Sequence, residues 1–273
     1  MAINHLWPKE IFEQDGFSIT SFILEDAHGD RTSVWYRLPS QFSPAITRSC
    51  DPFVLASLFK AMMTPADLKV HGEVSPSLLC NLEEFQAAWT CWRPERYSRI
   101  EIIPDIEQEQ SESCTSNAVM LFSGGVDSCF TAWRYQKETG ERLTYKLQAG
   151  IFIHGIEIPI KFETSFNIAS TKNKSILGSL GIDFIPMVTN QRIINKLMAD
   201  NQAAFMASCL MLLQKGFDAG IIAGSHHYKK LKFPYGTNPV TDPMLSNKTF
   251  SILYDGARFS RLEKIAVLPH TNR

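Results

Sequence analysis

Long apolar runs are missing from this sequence. No stretch of the 273 residues approaches the roughly 18 that a membrane-spanning helix needs, and the opening MAINHLWPKEIFEQ lacks the basic-then-apolar plan of a secretory leader. A cytoplasmic protein without membrane contact is expected. Cysteine is sparse and unpaired along the chain: Cys50, Cys80, Cys91, Cys114, Cys129 and Cys209 form no C-x-x-C, which excludes a zinc ribbon and argues against a disulfide framework. Neither Gly-Lys-Ser/Thr nor G-x-G-x-x-G occurs, so the Walker-type and dinucleotide-binding readings lose their fingerprints. A strong excess of one charge is also absent. The net charge is −1, and among the basic residues only Lys229, Lys230 and Lys232 cluster, which is too little for a nucleic-acid-coating surface. What is present is a 44% hydrophobic composition with 18 Phe and 5 Trp, enough for a folded protein with a sizeable core.

The near-neutral total hides an asymmetry. Residues 1–103 carry 9 basic and 13 acidic side chains, residues 104–117 carry four acids and no base, and residues 118–273 carry 18 basic against 11 acidic. The last part expects anions, and a phosphorylated small molecule suits its mild excess. The segment 104–117 has no aromatic residue and no periodicity, and reads as an acidic linker. Before it, strands at Phe17–Leu24 and Ser33–Leu38, an apolar-periodic helix that Asp51 precedes and that runs through about Met63, a strand at Val70–Val74, a helix over Leu78–Trp92 started by Ser75-Pro76, and a strand at Arg99–Ile103 predict an α+β domain. After it, strand and helix alternate. Strands at Ala118–Phe122, Lys146–Ile153, Phe184–Val188 and Ala219–Ala223 are separated by helices over Asp127–Thr139 (ended by Gly140), Glu163–Leu180 and Ala203–Lys215. That alternation predicts a mostly parallel α/β sheet covered on both faces, with ligands at the carboxyl ends of the strands. Those ends are Ser123–Ser128, His154-Gly155, Thr189-Asn190 and Gly224–His227.

The informative stretch is Val119-Met-Leu-Phe-Ser-Gly-Gly-Val-Asp-Ser-Cys-Phe130. A buried strand runs into a loop whose two glycines let backbone approach a ligand, and Asp127 and Ser128 open a helix whose free N–H groups favour an anion. This predicts a phosphate cradle built from Phe122, Ser123, Gly124, Gly125, Val126, Asp127 and Ser128, with His154 at the neighbouring strand end. A bare strand-to-helix turn is the competing reading; the hydroxyls that bracket the glycines favour the cradle.

Ser123-Gly-Gly-Val-Asp-Ser128 resembles the signature of the N-type ATP pyrophosphatases, the PP-loop family, and Phe233–Ser246 with Leu253–Lys264 resembles a set of relatives of 7-cyano-7-deazaguanine synthase. The resemblance reaches from about residue 118 to the end. It implies a Rossmann-like sheet whose loop grips the β- and γ-phosphates of MgATP while a substrate oxygen attacks the α-phosphorus. An adenylate and pyrophosphate form, and a nitrogen or sulfur nucleophile then displaces AMP. ATP and Mg2+ are the implied cofactors, with Asp127 the implied Mg2+ residue. The relatives continue into a cysteine-rich segment like a zinc site where this sequence reads Pro269-His-Thr-Asn-Arg273, so no stoichiometric zinc is expected.

The remaining candidates divide between site and surface. Lys232, just past a strand end, would offset charge on a departing pyrophosphate, a role for which sequence separates it no better from Lys264. His226, Tyr235, Asp242 and Arg261 are candidate substrate contacts; His226 and His227 point opposite ways on extended backbone and do not read as a zinc pair. Asp242 and Asp255 also suit turns that serve their own backbone. Cys129, at a helix start, could have a lowered thiol pKa or simply pack against the sheet. The expected function is an ATP-dependent synthetase that adenylates a carbonyl or carboxylate oxygen of a small-molecule or modified-base acceptor and forms a C–N bond with ammonia or an amine. Glutamine-derived ammonia would require a partner protein, and a homo-oligomer is compatible. The alternatives are a non-catalytic nucleotide-binding subunit and a tRNA sulfur transferase.

Overall fold

A computed structural model of the chain describes residues 3–110, 115–137, 142, 144–194 and 198–268. Cys114, Thr139, Gly140 and Pro269–Arg273, which entered the expectations above, lie outside the described residues. The chain runs β1 (Ile3–Pro8), β2 (Phe12–Gln14), β3 (Phe17–Glu25), β4 (Arg31–Pro39), α1 (Asp51–Met63), β5 (Asp67–Val74), α2 (Pro76–Trp92) and β6 (Ile102–Glu107). It continues as β7 (Asn117–Leu121), α3 (Val126–Gln136), β8 (Lys146–His154), α4 (Glu163–Ser179), β9 (Asp183–Thr189), α5 (Met198–Met211), β10 (Ala219–Ala223), β11 (Ser251–Asp255) and α6 (Arg261–Val267).

The fold is α/β, built on one mixed sheet of 11 strands in the order β11-β10-β7-β8-β9-β4-β3-β1-β5-β6, with β2 on β3. From β11 to β9 every pairing is parallel. Antiparallel pairing of β4 with β9 joins this part to the N-terminal strands through Tyr36↔Thr189 and Arg37↔Val188. Asn190 extends the junction, accepting from Trp35 N at 2.9 Å and donating to Ser33 O at 2.9 Å. Thr189-Asn190, expected as a ligand-facing strand end, is therefore occupied in joining the two halves. The linker expectation also needs correcting, since Pro104–Glu107 belongs to β6 and pairs with β5. Ile102 and Ile103 fall in the expected strand Arg99–Ile103, and the strand runs on past them to Glu107, with Ile106 the single aliphatic residue in 104–107 to mark it.

Alternation within β7 sorts the core into two faces. Ala118 and Met120, with Phe122 just beyond, pack with Ala132 of α3 and Leu177 of α4, while Val119 joins the opposite cluster of α1 and α5. That second cluster is continuous across the chain: Phe53, Val54 and Leu58 of α1 share it with Phe205, Leu210 and Leu213. A buried polar network fastens the same seam. Asp51, at the start of α1, accepts from Ser75 N (2.8 Å), Ser75 Oγ (2.6 Å) and Asn247 Nδ2 (2.7 Å). Asn247 also donates to Gln214 Oε1 at 2.8 Å. Burial raises the Asp51 pKa, and these donors oppose the shift. The expected capping role of Ser75 is thus only half fulfilled: it precedes Pro76 at the helix start, but its hydroxyl serves Asp51 instead of the α2 backbone.

Candidate active site

Numbered from β7, the parallel part runs fifth, fourth, first, second, third, so the strand order reverses between β7 and β10. In open α/β sheets a crevice forms outside the carboxyl ends of the strands at such a point. Here it holds a cleft of about 250 Å³. One wall is Phe122, Ser123, Gly125, Val126, Asp127 and Ser128; the others come from Ile153, Ile156 and Glu157 after β8, Gln202 and Met206 of α5, Ser225 after β10, Tyr235 and Thr237, and Arg261 of α6. The cleft is therefore polar on the β7–α3 side and apolar where β8 and α5 meet.

The β7–α3 loop is held by its own hydroxyls. Ser123 Oγ accepts from Gly125 N at 3.3 Å and lies 3.3 Å from Ser128 Oγ, which donates to Gly125 O at 3.0 Å. Gly124 turns away from the cleft at φ +76°, and a β-carbon there would overlap Asn173 Oδ1 of α4. Both conformation and space therefore require glycine. The carboxylate of Asp127 is anchored by a lysine: Lys264 Nζ donates to Asp127 Oδ1 at 2.7 Å and to Gly224 O at 2.6 Å. Lys264 is only 2% exposed. A capping box sets its helix, with Ser260 N donating to Glu263 Oε2 at 2.7 Å and Glu263 N to Ser260 Oγ at 3.3 Å. Arg261 and Lys264, three residues apart, consequently share one face of α6, the first lining the cleft and the second buried beneath it.

The expected site residues separate on this geometry. Phe122, Ser123, Gly125, Val126, Asp127, Ser128, Tyr235 and Arg261 are brought together around the cleft, with Gly124 directly behind. Lys232 is exposed and does not line the cleft; the lysine that reaches the loop is Lys264. His154 is buried, stacked on Phe166 with ring centroids 4.3 Å apart, and its Nε2 lies 3.1 Å from Pro159 O. His226 packs edge-on against Tyr235 at 4.6 Å, one shell behind the cleft, and its backbone N and O are held by the Tyr254 hydroxyl at 3.3 and 3.4 Å. That phenol stays neutral, its pKa pushed up to about 12 by burial. Asp255 accepts from Thr131 Oγ1 at 2.7 Å and pairs with Arg134, fixing α3 to β11. Cys129 sits against the α3–α4 core, and burial raises its thiol pKa, opposite to what a helix N-terminus alone would do.

Asp242 is a buried structural carboxyl instead of a substrate contact. Its Oδ1 accepts from Asn238 N at 2.8 Å while Oδ2 finds no partner among the described residues. Desolvation lifts its pKa well above the ordinary carboxylate value. The folded state then holds a proton that the unfolded chain releases near pH ~4. Its contribution to stability is fully present below that pH and is lost as pH rises toward the folded-state pKa. Asp242→Asn is expected to flatten this part of the profile and raise stability at neutral pH by about 1–3 kcal/mol. Denaturant unfolding from pH 4 to 8 checks it; an Asn variant that keeps the wild-type slope contradicts the assignment.

Glu157, Gln202, Met206 and Thr237 line the cleft without having been expected there, and Lys264, which sequence could not separate from Lys232, lies buried beneath it. Glu157 follows a strand end by three residues, a usable signal, whereas Lys264 carries no local sign of burial. Compared with models of known protein families, with curated proteins and with solved structures, the chain matches none.

Proposed function

We propose that the cleft binds ATP and activates a carbonyl or carboxylate oxygen as an adenylate, in a Rossmann-like sheet of PP-loop type. The observation that carries this reading is the position of Ser123–Ser128: a glycine-containing loop entering a helix at the strand-order reversal, with Arg261 on the cleft wall. Backbone N–H groups at the start of α3 and the Ser123 and Ser128 hydroxyls would hold the terminal phosphates. Arg261 would face the pyrophosphate, where a guanidinium fork matches two oxygens. The apolar surface of Ile153, Ile156 and Met206 would take the base.

In the first step an acceptor oxygen bonds to the α-phosphorus as the α–β bridge breaks and pyrophosphate leaves. In the second, ammonia or an amine attacks the activated carbonyl carbon, AMP departs and the nitrogen loses a proton. Mg2+ bound with the nucleotide would supply charge neutralisation on the phosphates, and Asp127, a carboxylate facing them, fits a metal that takes one or two carboxylates plus phosphate oxygens. Lys264 keeps that carboxylate oriented.

Radiolabelled ATP with candidate acceptors and ammonium should yield AMP and pyrophosphate in an acceptor-dependent way. ADP with orthophosphate as the products would defeat the reading. ATP binding without turnover over a broad panel of carboxylates would favour a nucleotide-binding subunit.

A further inference from the structure

Glu157 belongs to a loop that is stapled at several points. Gly155 takes φ +113°, and a β-carbon there would overlap the backbone O of Thr189, so the turn after β8 is fixed by close packing on β9. Gly155 N donates to Ile158 O at 2.8 Å, and His154 bridges to Ile158 in a short parallel pairing. His154 Nε2 lies against Pro159 O at 3.1 Å, and Arg192 Nη1 donates to Ile156 O at 2.9 Å. This accounts for the burial of His154: it braces the loop. The result is a rigid presentation of Ile156 and Glu157 at the cleft, on the strand next to the Ser123–Ser128 loop.

The two cleft-lining carboxylates differ in what engages them. Asp127 is held by Lys264, whereas Glu157 is exposed and has no anchoring partner in the described structure. An ionised carboxylate is an acceptor with about four lone-pair sites and no donor. What it recognises best without a cation is a pair of neighbouring hydroxyls. In open α/β sheets the ligand lies across the carboxyl ends of the strands, so a carboxylate following the second strand faces the same ligand as a phosphate loop following the first. Glu157 has that relation to Ser123–Ser128, with the apolar surface of Ile153 and Ile156 beside it for the base.

We infer that Glu157 accepts hydrogen bonds from the ribose 2′- and 3′-hydroxyls of the nucleotide, making the cleft selective for ribonucleotides over deoxyribonucleotides. The inference rests on the ATP reading above and adds a specificity-determining residue to it. Among the described residues, the two basic side chains on the loops at this edge are engaged elsewhere: Lys161 lies over the Phe162 ring at 5.0 Å and Arg192 bonds Ile156 O.

The test is equilibrium binding of ATP, 2′-deoxy-ATP and 3′-deoxy-ATP to the full chain, to Glu157→Gln and to Glu157→Ala. A hydrogen bond to a charged acceptor corresponds to roughly tenfold or more in affinity. The wild-type chain should therefore prefer ATP to at least one deoxy analogue by about tenfold. In Glu157→Ala the ATP affinity should fall by a similar factor while the deoxy analogue is little affected, and Glu157→Gln should fall between. An undiminished preference for ATP in Glu157→Ala, or wild-type binding of all three with equal affinity, overturns the inference and leaves nucleotide binding intact. Failure of the wild-type chain to bind any of the three overturns the ATP reading and this inference with it. Circular dichroism of each variant confirms that an exposed loop residue was changed without unfolding.

Discussion

Asp127→Ala is expected to lower ATP-dependent turnover by ~10²-fold or more, the scale seen when a group facing developing charge is removed from a water-restricted site. The carboxylate opens α3 on the cleft wall and is only 17% exposed at its side chain. Its loss leaves the Lys264 ammonium with Gly224 O as its remaining acceptor in the described structure. Some of the effect will therefore be structural, and Asp127→Asn separates the two contributions. The amide keeps the size and can still accept from Lys264, but it cannot neutralise a cation bound with the phosphates. Turnover should drop in both variants after normalising to the folded fraction, with stability falling more in the alanine form. Full ATP affinity and turnover in Asp127→Asn would show that the cleft does not work through this carboxylate.

The β7–loop–α3 unit was legible because the features that mark it are local. An apolar strand, two glycines and a hydroxyl on either side lie within the twelve residues Asn117–Ser128, and their mutual bonds span at most five positions. The helices over α1 and α2 were legible for the same reason, marked by apolar periodicity, and α4 by the run from Glu163 to the Gly181 stop. What escaped depends on partners far away in sequence. β1 offers only Asn4 and Leu6 as buried positions, between the exposed Ile3 and Trp7, and its assignment is fixed by pairing with β3 and β5. The junction of β4 with β9 joins residues more than 150 positions apart, so sequence gave no sign that the strands before and after 104–117 share one sheet.

The lysines show the same limit at the site. Sequence does not separate Lys232 from Lys264 as the lysine of the site, yet Lys232 is exposed and Lys264 is buried. The difference is made by the Ser260–Glu263 capping box, which fixes the rotation of α6, and by packing of α6 on α3. The box was readable as Ser-x-x-Glu. Its consequence, that position 264 faces inward onto a carboxylate 137 residues away, was not.

Lys264→Met should cost about 3 kcal/mol of stability, because removing one member of a buried pair leaves the other poorly compensated. The lower end of the usual range applies, since Asp127 retains contact with solvent at the cleft. For a chain of this size that corresponds to a fall in Tm of roughly 6–12 °C. Methionine keeps the length and apolar stem of lysine, so the loss isolates the ammonium and its two bonds. Arginine should not rescue it: the ammonium lies close to Gly256, where even an added β-carbon would approach Nζ to 3.2 Å, and a guanidinium is larger. The double variant Lys264→Met with Asp127→Asn should recover part of the loss, because neither charge is then left alone. Salt provides a second readout. A surface pair weakens between 50 and 500 mM as the Debye length contracts, whereas a pair this buried is screened much less, so the stability gap between wild type and Lys264→Met should stay nearly constant. A Lys264→Met protein within 0.5 kcal/mol of wild type, or a gap that closes in high salt, would mean that Lys264 is a solvated surface lysine and that α6 does not hold the loop through it.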